Sequence, residues 1–431
     1  MTEPWAGRRL HVVGVAGAGM SAYAIVSRAL GAVVTGSDRA ESPYLGRVRE
    51  AGIEPAIGHS AANLPEGDDV EVVVSTAIPS DNPERVAAAE RGLRVLSRAD
   101  LLGELTRLKR TIAVAGAHGK TTTSSMIAHA LIGCGLDPAY LIGGTLSTTG
   151  TNAAWGSGQW LVVEADESDR SFLALDVDVA VVTNVELDHH TEYASRLDLD
   201  EAFRQFLAGA PVAVLPPDLL ALRADGETHV FGDWEGPDLA VPGEHNRRNA
   251  SAALTAALCA GAPRERAEGA LSLFRGAGRR FEVLGETAAG ATVVDDYAHH
   301  PTEVAATIAA AREWMQAAPA ASRGRIVAVF QPHLYSRTQH LAREFGKALA
   351  AADLPGVLEV YPARERAEDF PGVSGLLIAE AAADAGGGKP VLWLPGFDVA
   401  ERALAAELRE GDLLLVVGAG DVDALGRRLV G

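Results

Sequence analysis

Short apolar runs recur along the chain, and in several places a glycine-rich turn and a helical pattern follow the run. One run covers Leu10 to Val15, and helical spacing extends from Ser21 to Leu30 after the glycines. A second run ends at Gly116, and a third lies at Arg325 to Pro332. A strand, a turn and a helix in this order are typical of α/β units with parallel sheets. The pattern therefore predicts an α/β fold with three such units.

Further strand patterns assign the rest of the chain to these units. Leu161 to Asp166 and Val177 to Asn184 read as buried strands of the second unit, and an alanine-rich helix over Arg248 to Ala260 closes it. Dividing the 431 residues by the ~150 residues typical of a domain also gives about three domains. We therefore predict domains at residues 1–106, 107–279 and 280–431.

The most specific local pattern is TIAVAGAHGKTTTSSMIAHAL, a buried strand, a glycine-bounded turn, Lys120 and then a helix. Such a turn directs backbone N–H groups at phosphate oxygens, while the lysine reaches the terminal phosphates and Thr121 ligates Mg²⁺. The turn is shorter than the usual phosphate-binding pattern, because Val114 stands where that pattern has its first glycine. The alternative interpretation is a structural glycine turn with an incidental lysine. The turn predicts a nucleoside triphosphate site.

Acidic clusters follow two apolar strands. Their members are Glu164, Asp166, Glu167 and Asp169 after the first strand, and Glu186, Asp188, His189 and His190 after the second. Adjacent carboxylates repel one another unless a cation compensates them, and α/β ligand sites form at strand ends. One carboxylate and one imidazole would complete a Mg²⁺ site with Thr121. A solvated acidic loop that caps a helix is the alternative.

The first unit carries a glycine turn of its own. Gly17, Gly19 and Ala22 fit the G-x-G-x-x-A pattern, and Asp38 ends the second strand ~20 residues later, as in dinucleotide-binding folds. The same geometry would hold the diphosphate and ribose of a UDP-sugar. The sequence does not separate an NAD site from a UDP-sugar site.

Polar groups follow two strands of the third unit as well. They are Asp295, Asp296, His299 and His300, and then His333, Ser336 and Arg337. Arginine and histidine here are suited to binding a carboxylate or phosphate. Asn246 and Asn249 lie at a helix start, where an amide either caps the helix or holds a base. Arg279 and Arg280 lie at the predicted hinge.

Composition narrows the function classes. The chain is 48% hydrophobic and has a formal net charge of −19, which argues against a nucleic-acid-binding protein or one that binds anionic membranes. Its two cysteines lie far apart, which excludes a disulfide framework and a structural zinc site. Arg8 and Arg9 precede an apolar run and resemble a secretory leader, but the glycine turn favours a buried strand. No run reaches membrane-spanning length, so we expect a cytoplasmic protein.

These segments together resemble the Mur ligase family. The motifs that carry the resemblance run from about Leu10 to Gly426 in family order: GVAGAGMSA, STAIPSDNPE, GAHGKTTT, EADESDRSFL, VVTNVELDHH, PGEHNRRNA, GAGRRFE, VDDYAHHPTEV, QPHLYSRT and VVGAGD. The resemblance implies a Rossmann-like N-terminal domain for a UDP-sugar, a central P-loop ATPase domain and a Rossmann-like C-terminal domain that binds the amino acid. It also implies ATP and Mg²⁺ as cofactors.

Residue by residue, the resemblance assigns roles to the matching positions. It implies ATP binding by Gly116, Ala117, His118, Gly119, Lys120, Thr121, Thr122, Asn246, Asn249 and Arg279. It implies metal binding by Thr121, Glu164 and His189, and UDP-sugar binding by Gly14, Gly17, Gly19, Asp38 and Arg280. Catalytic roles fall on Lys120, His299 and Arg337, with His299 as candidate base for the incoming amine.

The chain departs from the family pattern at a few positions. Ala117 replaces a usual threonine, Ala298 a frequent glycine and Leu334 a usual arginine, so one substrate-binding charge is missing or comes from elsewhere. The absence of lysine between Lys120 and Lys347 removes the carbamylated lysine of sister ligases, which favours the branch that joins L-alanine to UDP-N-acetylmuramate. We expect a monomer or homodimer.

Three other functions remain open from the sequence. One is a related ligase that adds a recycled tripeptide to the same UDP-sugar. Another is an NAD-dependent oxidoreductase built on the turn at Gly17, which leaves Lys120 and the acidic clusters unexplained. The last is a nucleotide-binding partner subunit that has lost catalysis, for which Leu334 is the one supporting feature.

Overall fold

The structure, a computed structural model, describes residues 3–42, 44–75, 77–186, 193–317, 319 and 323–430. Its first sheet is parallel, with strand order β3-β2-β1-β4-β5. The strands are β1 (Arg9–Val13), β2 (Val33–Asp38), β3 (Ala56–Ile57), β4 (Val70–Val74) and β5 (Val95–Ser97). The helices are α1 (Ala18–Ala29), α2 (Leu45–Glu50), α3 (Pro83–Glu90) and α4 (Arg98–Thr106). Side-chain caps fix two helix starts, Asn82 before α3 and the Ser97–Asp100 capping box of α4.

The second sheet has the order β12-β11-β10-β6-β9-β7-β8 and is parallel except where β7 pairs with β8. Its strands are β6 (Arg110–Ala115), β7 (Ala139–Leu146), β8 (Thr151–Ala154), β9 (Trp160–Glu164), β10 (Val179–Val182), β11 (Val212–Leu215) and β12 (Glu227–Val230). The helices of this region are α5 (Lys120–Gly133), α6 (Arg196–Ala208), α7 (Glu244–Cys259) and α8 (Arg264–Ser272). The central strands are buried apolar runs, as expected for a sheet covered on both faces.

The third sheet has the order β13-β14-β18-β15-β16-β17, and only its edge pair β13-β14 is antiparallel among the described strands. Its strands are β13 (Glu282–Glu286), β14 (Thr292–Asp296), β15 (Ile326–Phe330), β16 (Leu354–Leu358), β17 (Leu392–Leu394) and β18 (Leu413–Val417). The helices are α9 (Pro301–Ala317), α10 (Tyr335–Leu349), α11 (Leu376–Ala385), α12 (Phe397–Glu407) and α13 (Asp423–Val430). Separate apolar clusters cover the two faces of this sheet.

The predicted α/β class is confirmed, with one difference in detail. The sequence pattern predicted parallel sheets throughout, whereas β8 and β13 are antiparallel edge strands. Each follows or precedes its partner through a short connection, which suits an antiparallel pair and not a helical crossover. Among the described helices, none is both long and apolar enough to cross a membrane.

The chain divides into two compact units. Unit 1 contains Met1–Ala240 and Arg248–Arg275, and unit 2 contains Val241–Arg247 and Gly276–Gly431. The first two sheets therefore lie in one unit, and one apolar cluster contains buried residues from both of them. Asn152 on β8 ties them together, because its Nδ2 donates a hydrogen bond of 2.6 Å to the backbone oxygen of Ala18. The boundaries at residues 106 and 279 stay predictions.

Candidate active site

The glycine turn between β6 and α5 is held in place by two residues that follow β10. Asn184 Oδ1 accepts from His118 N at 3.0 Å, and Asn184 Nδ2 and Thr183 Oγ1 donate to His118 O at 2.8 and 2.6 Å. A Cβ on Gly116 would overlap Thr183, and Gly119 caps α5 with a φ of +80° that favours glycine. The backbone amides at the start of α5 are therefore fixed, as a phosphate-binding turn requires.

Lys120 lies inside a group of carboxylates. Its Nζ donates to Gly116 O at 2.6 Å and lies 2.9 and 3.1 Å from the two carboxylate oxygens of Glu167, which is buried. Burial acts to lower the pKa of Lys120, but Glu167, Asp166 and Glu164 outweigh it and raise the pKa. The lysine is therefore charged. Glu167, which follows β9 in the predicted acidic cluster, is therefore the ion-pair partner of Lys120.

The predicted metal ligands Thr121 and Glu164 face a common small space. The amide of Gly143 donates to Glu164 Oε1 at 2.6 Å. A Cβ on Gly143 would lie 3.0 Å from both Glu164 oxygens and 3.0 Å from Thr121 Oγ1. The absence of a side chain at Gly143 thus leaves a cradle lined by hard oxygen donors, the ligand type that Mg²⁺ prefers. These residues fit a magnesium ion.

The third predicted metal ligand, His189, lies outside the described residues, as do Asp188 and His190. The neighbouring Glu186 is described, and its Oε2 lies 3.2 Å from His118 Nε2. His118 therefore has a carboxylate beside its ring, in addition to the backbone contacts that hold the turn.

The N-terminal glycine turn joins β1 to α1, as predicted. Gly14 has a φ of +82°, and Gly17 is the N-cap of α1 without a side-chain cap. Asp38 at the end of β2 accepts a hydrogen bond of 2.8 Å from the amide of Ala16. Asp38, the acidic residue that accompanies the G-x-G-x-x-A pattern, therefore stabilises the turn by this hydrogen bond. Gly19 lies on the first turn of α1.

The two predicted asparagines lie inside the start of α7, one turn apart. Asn249 is buried, and its Oδ1 lies 2.7 Å from where a Cβ on Gly119 would stand, so its amide is packed against the phosphate turn. Asn246 is also buried, and its Nδ2 donates to Pro242 O at 2.7 Å. The sequence predicted a helix start at Arg248, but α7 begins at Glu244, so both asparagines lie within the helix and not before it.

Arg279 makes its contacts inside unit 2. Its guanidinium donates to Asp295 at 3.0 Å, to Gly418 O at 2.8 Å and to Gly420 O at 2.9 Å. These bonds join the segment before β13 to the ends of β14 and β18. Its nucleotide-binding role stays a prediction. The contacts that the structure describes hold strand ends together within unit 2.

The other predicted groups of unit 2 lie in a row. The guanidinium of Arg280 stacks on Tyr297 at 5.0 Å, Tyr297 lies 5.5 Å from the His299 ring, and His299 lies 6.3 Å from His333. Burial, together with the charges of His299 and Arg337, lowers the pKa of His333 to about 4. His333 is therefore neutral at pH 7. The structure thus brings the predicted Arg280, His299 and Arg337 to one end of the third sheet.

His299 has a defined ring orientation. Its Nδ1 lies 3.0 Å from Tyr297 O and 3.4 Å from Glu303 Oε2, so Nδ1 carries the hydrogen. In the neutral ring Nε2 then holds the lone pair that accepts a proton. Leu334, by contrast, is buried at the start of α10 with a φ of +73°, so this position supplies packing and no charge.

Several residues that position the site do not stand out in the sequence. Thr183 and Asn184 were read only as a strand end, although a polar pair directly after an apolar run was a usable signal. Arg98 was not identified, and its Nη2 donates to Asp166 Oδ2 at 3.4 Å. Nothing in the local sequence of Arg98 indicates this contact, because its partner is 68 residues away.

Comparison with protein families matches three models to the chain. They are the Mur ligase family catalytic domain at residues 9–110, the Mur ligase middle domain at residues 114–228 and the Mur ligase glutamate ligase domain at residues 279–420. Together they cover most of the sequence.

Individual relatives agree over nearly the whole length. The UDP-N-acetylmuramate–L-alanine ligase of Streptomyces avermitilis is 42% identical over 99% of this chain and 98% of its own. That of Acidithiobacillus ferrooxidans is 43% identical over 97% and 96%. Among solved structures, the UDP-N-acetylmuramate–alanine ligase of Thermotoga maritima matches with a TM-score of 0.81 at 28% identity, covering 98% of each chain. A murein peptide ligase from Psychrobacter arcticus matches with 0.71 at 25% identity and the same coverage.

Proposed function

The chain belongs to the Mur ligase family, and from this premise we infer that it joins L-alanine to the lactyl carboxylate of UDP-N-acetylmuramate in peptidoglycan biosynthesis. ATP is consumed, and ADP and phosphate are released. The observation that carries this proposal is the convergence of Lys120, Thr121 and Glu164 at the carboxyl ends of β6 and β9. Relatives at 42–43% identity that carry this activity in their names support the choice of amino acid.

The chemistry explains why ATP is needed. An amide forms from a carboxylate and an ammonium group only uphill in water, so the acid must be activated first. A lactyl carboxylate oxygen attacks the γ-phosphorus, the bond to the ADP oxygen breaks, and an acyl phosphate results. The neutral alanine amine then attacks the acyl carbon and loses a proton, and the carbon–oxygen bond to phosphate breaks.

We assign the phosphate-transfer roles to unit 1. The turn from Gly116 to Thr122 binds the triphosphate through its amides, and Lys120 leaves Glu167 to neutralise charge on the transferring phosphoryl group. Thr121 and Glu164 would hold Mg²⁺, with His189 as a further predicted ligand. The ion would supply charge neutralisation at the phosphate oxygens.

We assign the substrate-binding roles to the remaining predicted groups. The turn at Gly14, Gly17 and Gly19 would bind the UDP-sugar, braced by Asp38. In unit 2, Arg280 and Arg337 would bind anionic groups of the substrates, and His299 would take the amine proton at Nε2. A cytoplasmic location and a monomeric or homodimeric state are our predictions.

A coupled assay of ADP release tests the proposal. We expect release to require UDP-N-acetylmuramate, L-alanine and Mg²⁺ together, with the UDP-N-acetylmuramyl-alanine product visible by mass spectrometry. Release that needs no UDP-sugar would contradict the proposed function.

The ligase that adds a free tripeptide is the second candidate, because the murein peptide ligase of Psychrobacter arcticus shares the fold over 98% of both chains. Supplying the tripeptide or L-alanine as the only amine distinguishes the two activities. We expect turnover with L-alanine, and product with the tripeptide alone would favour the second candidate.

A further inference from the structure

A cleft in unit 1 has Lys120 and Glu164 among its lining residues. The cleft is also lined by Gly19 and Tyr23 of α1, by Leu102 of α4 and by Phe172. The cleft therefore connects the N-terminal glycine turn with the phosphate turn. One substrate molecule in this cleft would therefore lie beside residues of both turns.

Arg98 stands between these two turns. It is the first residue of α4, and the Ser97–Asp100 capping box fixes its backbone. Its Nη1 lies 3.6 Å from where a Cβ on Gly19 would stand, and its Nη2 donates to Asp166 at 3.4 Å. Among the described residues that line the cleft, Arg98 and Lys120 are the cations.

The contact between Arg98 and Asp166 is weak enough to be exchanged. The two side chains are 39% and 36% exposed, and an exposed ion pair at this distance contributes little stability. A planar guanidinium binds carboxylates and phosphates through parallel hydrogen bonds. Arg98 donates only one hydrogen bond to Asp166, so it does not use this two-bond geometry. A substrate anion that enters the cleft can replace Asp166 at little cost.

Tyr23 adds a second donor to the cleft. Burial raises the pKa of Tyr23 to about 12, so its hydroxyl is neutral at pH 7. Within the described residues the hydroxyl makes no hydrogen bond, and it lies beside Arg98 in the wall of the cleft. The wall thus presents a cation and a neutral donor.

We propose that Arg98 binds an anionic group of the UDP-sugar, either its lactyl carboxylate or its diphosphate, and so aligns the reacting end of this substrate with Lys120. The proposal rests on the proposed function and adds to it a substrate-binding residue on the first helix position of α4. Lys120 serves the triphosphate and Glu164 the metal, which leaves Arg98 as the cation of the cleft for the second anionic substrate.

The variant Arg98→Gln tests the proposal in the full-length protein. We expect the KM for UDP-N-acetylmuramate to rise about 10-fold to 100-fold, because a charge-assisted hydrogen bond is lost, while the KM values for ATP and L-alanine stay within about 2-fold. Arg98→Lys should recover part of the loss. Arg94→Gln is the matched control, since that guanidinium is 59% exposed and pairs with Glu71 and Glu104.

Direct binding without ATP identifies the anionic group. UDP-N-acetylglucosamine lacks the lactyl carboxylate but keeps the diphosphate. If Arg98 binds the carboxylate, Arg98→Gln weakens binding of UDP-N-acetylmuramate alone; if it binds the diphosphate, binding of both sugars weakens equally. Unchanged binding of both sugars overturns the proposal, as does a KM for ATP that rises as much as the KM for the UDP-sugar.

Failure of the proposed function looks different. In that case the unmodified protein itself releases no ADP with UDP-N-acetylmuramate. An active unmodified protein together with an unaffected Arg98→Gln variant would remove the role of Arg98 alone.

Discussion

Lys120 is held by a buried carboxylate, and this pairing determines what its removal does. In Lys120→Ala the phosphate turn keeps its backbone contacts through Thr183 and Asn184, but the transferring phosphoryl group loses its nearest side-chain cation. We expect kcat to fall about 100-fold or more, as when one electrostatic contact to a transition state is removed. Steady-state ADP release measures this loss.

The control for this variant is Lys347→Ala. Lys347 is an exposed lysine of α10 in unit 2, so its removal takes away the same charge without changing a residue of the phosphate turn. A Lys120→Ala rate equal to that of Lys347→Ala would contradict the assignment of Lys120.

Gly143 provides a test of the metal cradle. In Gly143→Ala the new methyl group would stand 3.0 Å from both Glu164 oxygens and from Thr121 Oγ1, in the space assigned to Mg²⁺. We expect the Mg²⁺ concentration for half-maximal activity to rise about 10-fold or more, because ligands displaced by an ångström lose much of their binding energy. A titration of activity with Mg²⁺ at saturating substrates measures this change.

Gly269→Ala is the matched control, since Gly269 lies in α8 and a Cβ there meets nothing within 4 Å. It should leave the Mg²⁺ dependence unchanged and stabilise the protein by up to ~1 kcal/mol through helix propensity. Identical Mg²⁺ curves for the two variants would rule out the cradle.

At the scale of elements, Glu84 connects several segments of the first sheet. It lies at the start of α3, is fully buried, and accepts from His11 on β1 at 3.1 Å and from Ser37 on β2 at 2.5 Å. Ser60 N and Asn63 Nδ2 reach it at 3.1 and 2.8 Å from the segment after β3. One carboxylate thus fastens the carboxyl edge of this sheet, where a UDP-sugar is expected to bind.

This carboxylate gives the stability a predictable pH dependence. Burial acts to raise the pKa of Glu84, but the hydrogen bonds from His11, Ser37 and Asn63 outweigh it and lower the pKa to about 2. The stabilisation is therefore complete above about pH 4.5 and is lost as the pH falls towards about 2. We expect Glu84→Gln to lower the unfolding free energy by ~2–3 kcal/mol at pH 7 and by clearly less at pH 3.

Urea denaturation at the two pH values measures both differences. Glu90→Gln is the control, because Glu90 is exposed at the end of the same helix. A Glu84→Gln difference of equal size at pH 7 and pH 3 would contradict the role of the ionised carboxylate.

The elements themselves could be predicted from the sequence, whereas their mutual contacts could not. The runs around Leu10 and Leu161 are buried strands because period and apolar content are local properties. The pairing of Lys120 with Glu167 and the placement of Arg98 beside Gly19 depend on how strands and helices from distant segments pack. The antiparallel edges β8 and β13 were missed although the short connection of each to its partner is a local sign of antiparallel pairing.

At the scale of the whole molecule, the net charge of −19 and the anionic substrates act against each other. Lys120 and Arg98 line the cleft and two arginines stack on Tyr297, while the overall field repels an approaching nucleotide. The sequence already indicated this conflict. The structure adds that two of these cations, Arg98 and Lys120, line one cleft. The net charge of the chain contains no information on such local placement.

The conflict predicts that salt raises both rate constants of UDP-sugar binding, so that its effects on affinity oppose each other. Raising the ionic strength from 0.01 M to 0.15 M shortens the screening length from ~30 Å to ~8 Å, which removes the long-range repulsion but also weakens contacts in the partly exposed cleft. We therefore expect the association rate constant to rise a few-fold and the dissociation rate constant to rise as well, measured by stopped-flow fluorescence. Neutral uridine is the control, and both of its rate constants should stay nearly constant. An association rate constant for the UDP-sugar that falls with salt would mean that the cations of the cleft attract the substrate from a distance despite the net charge.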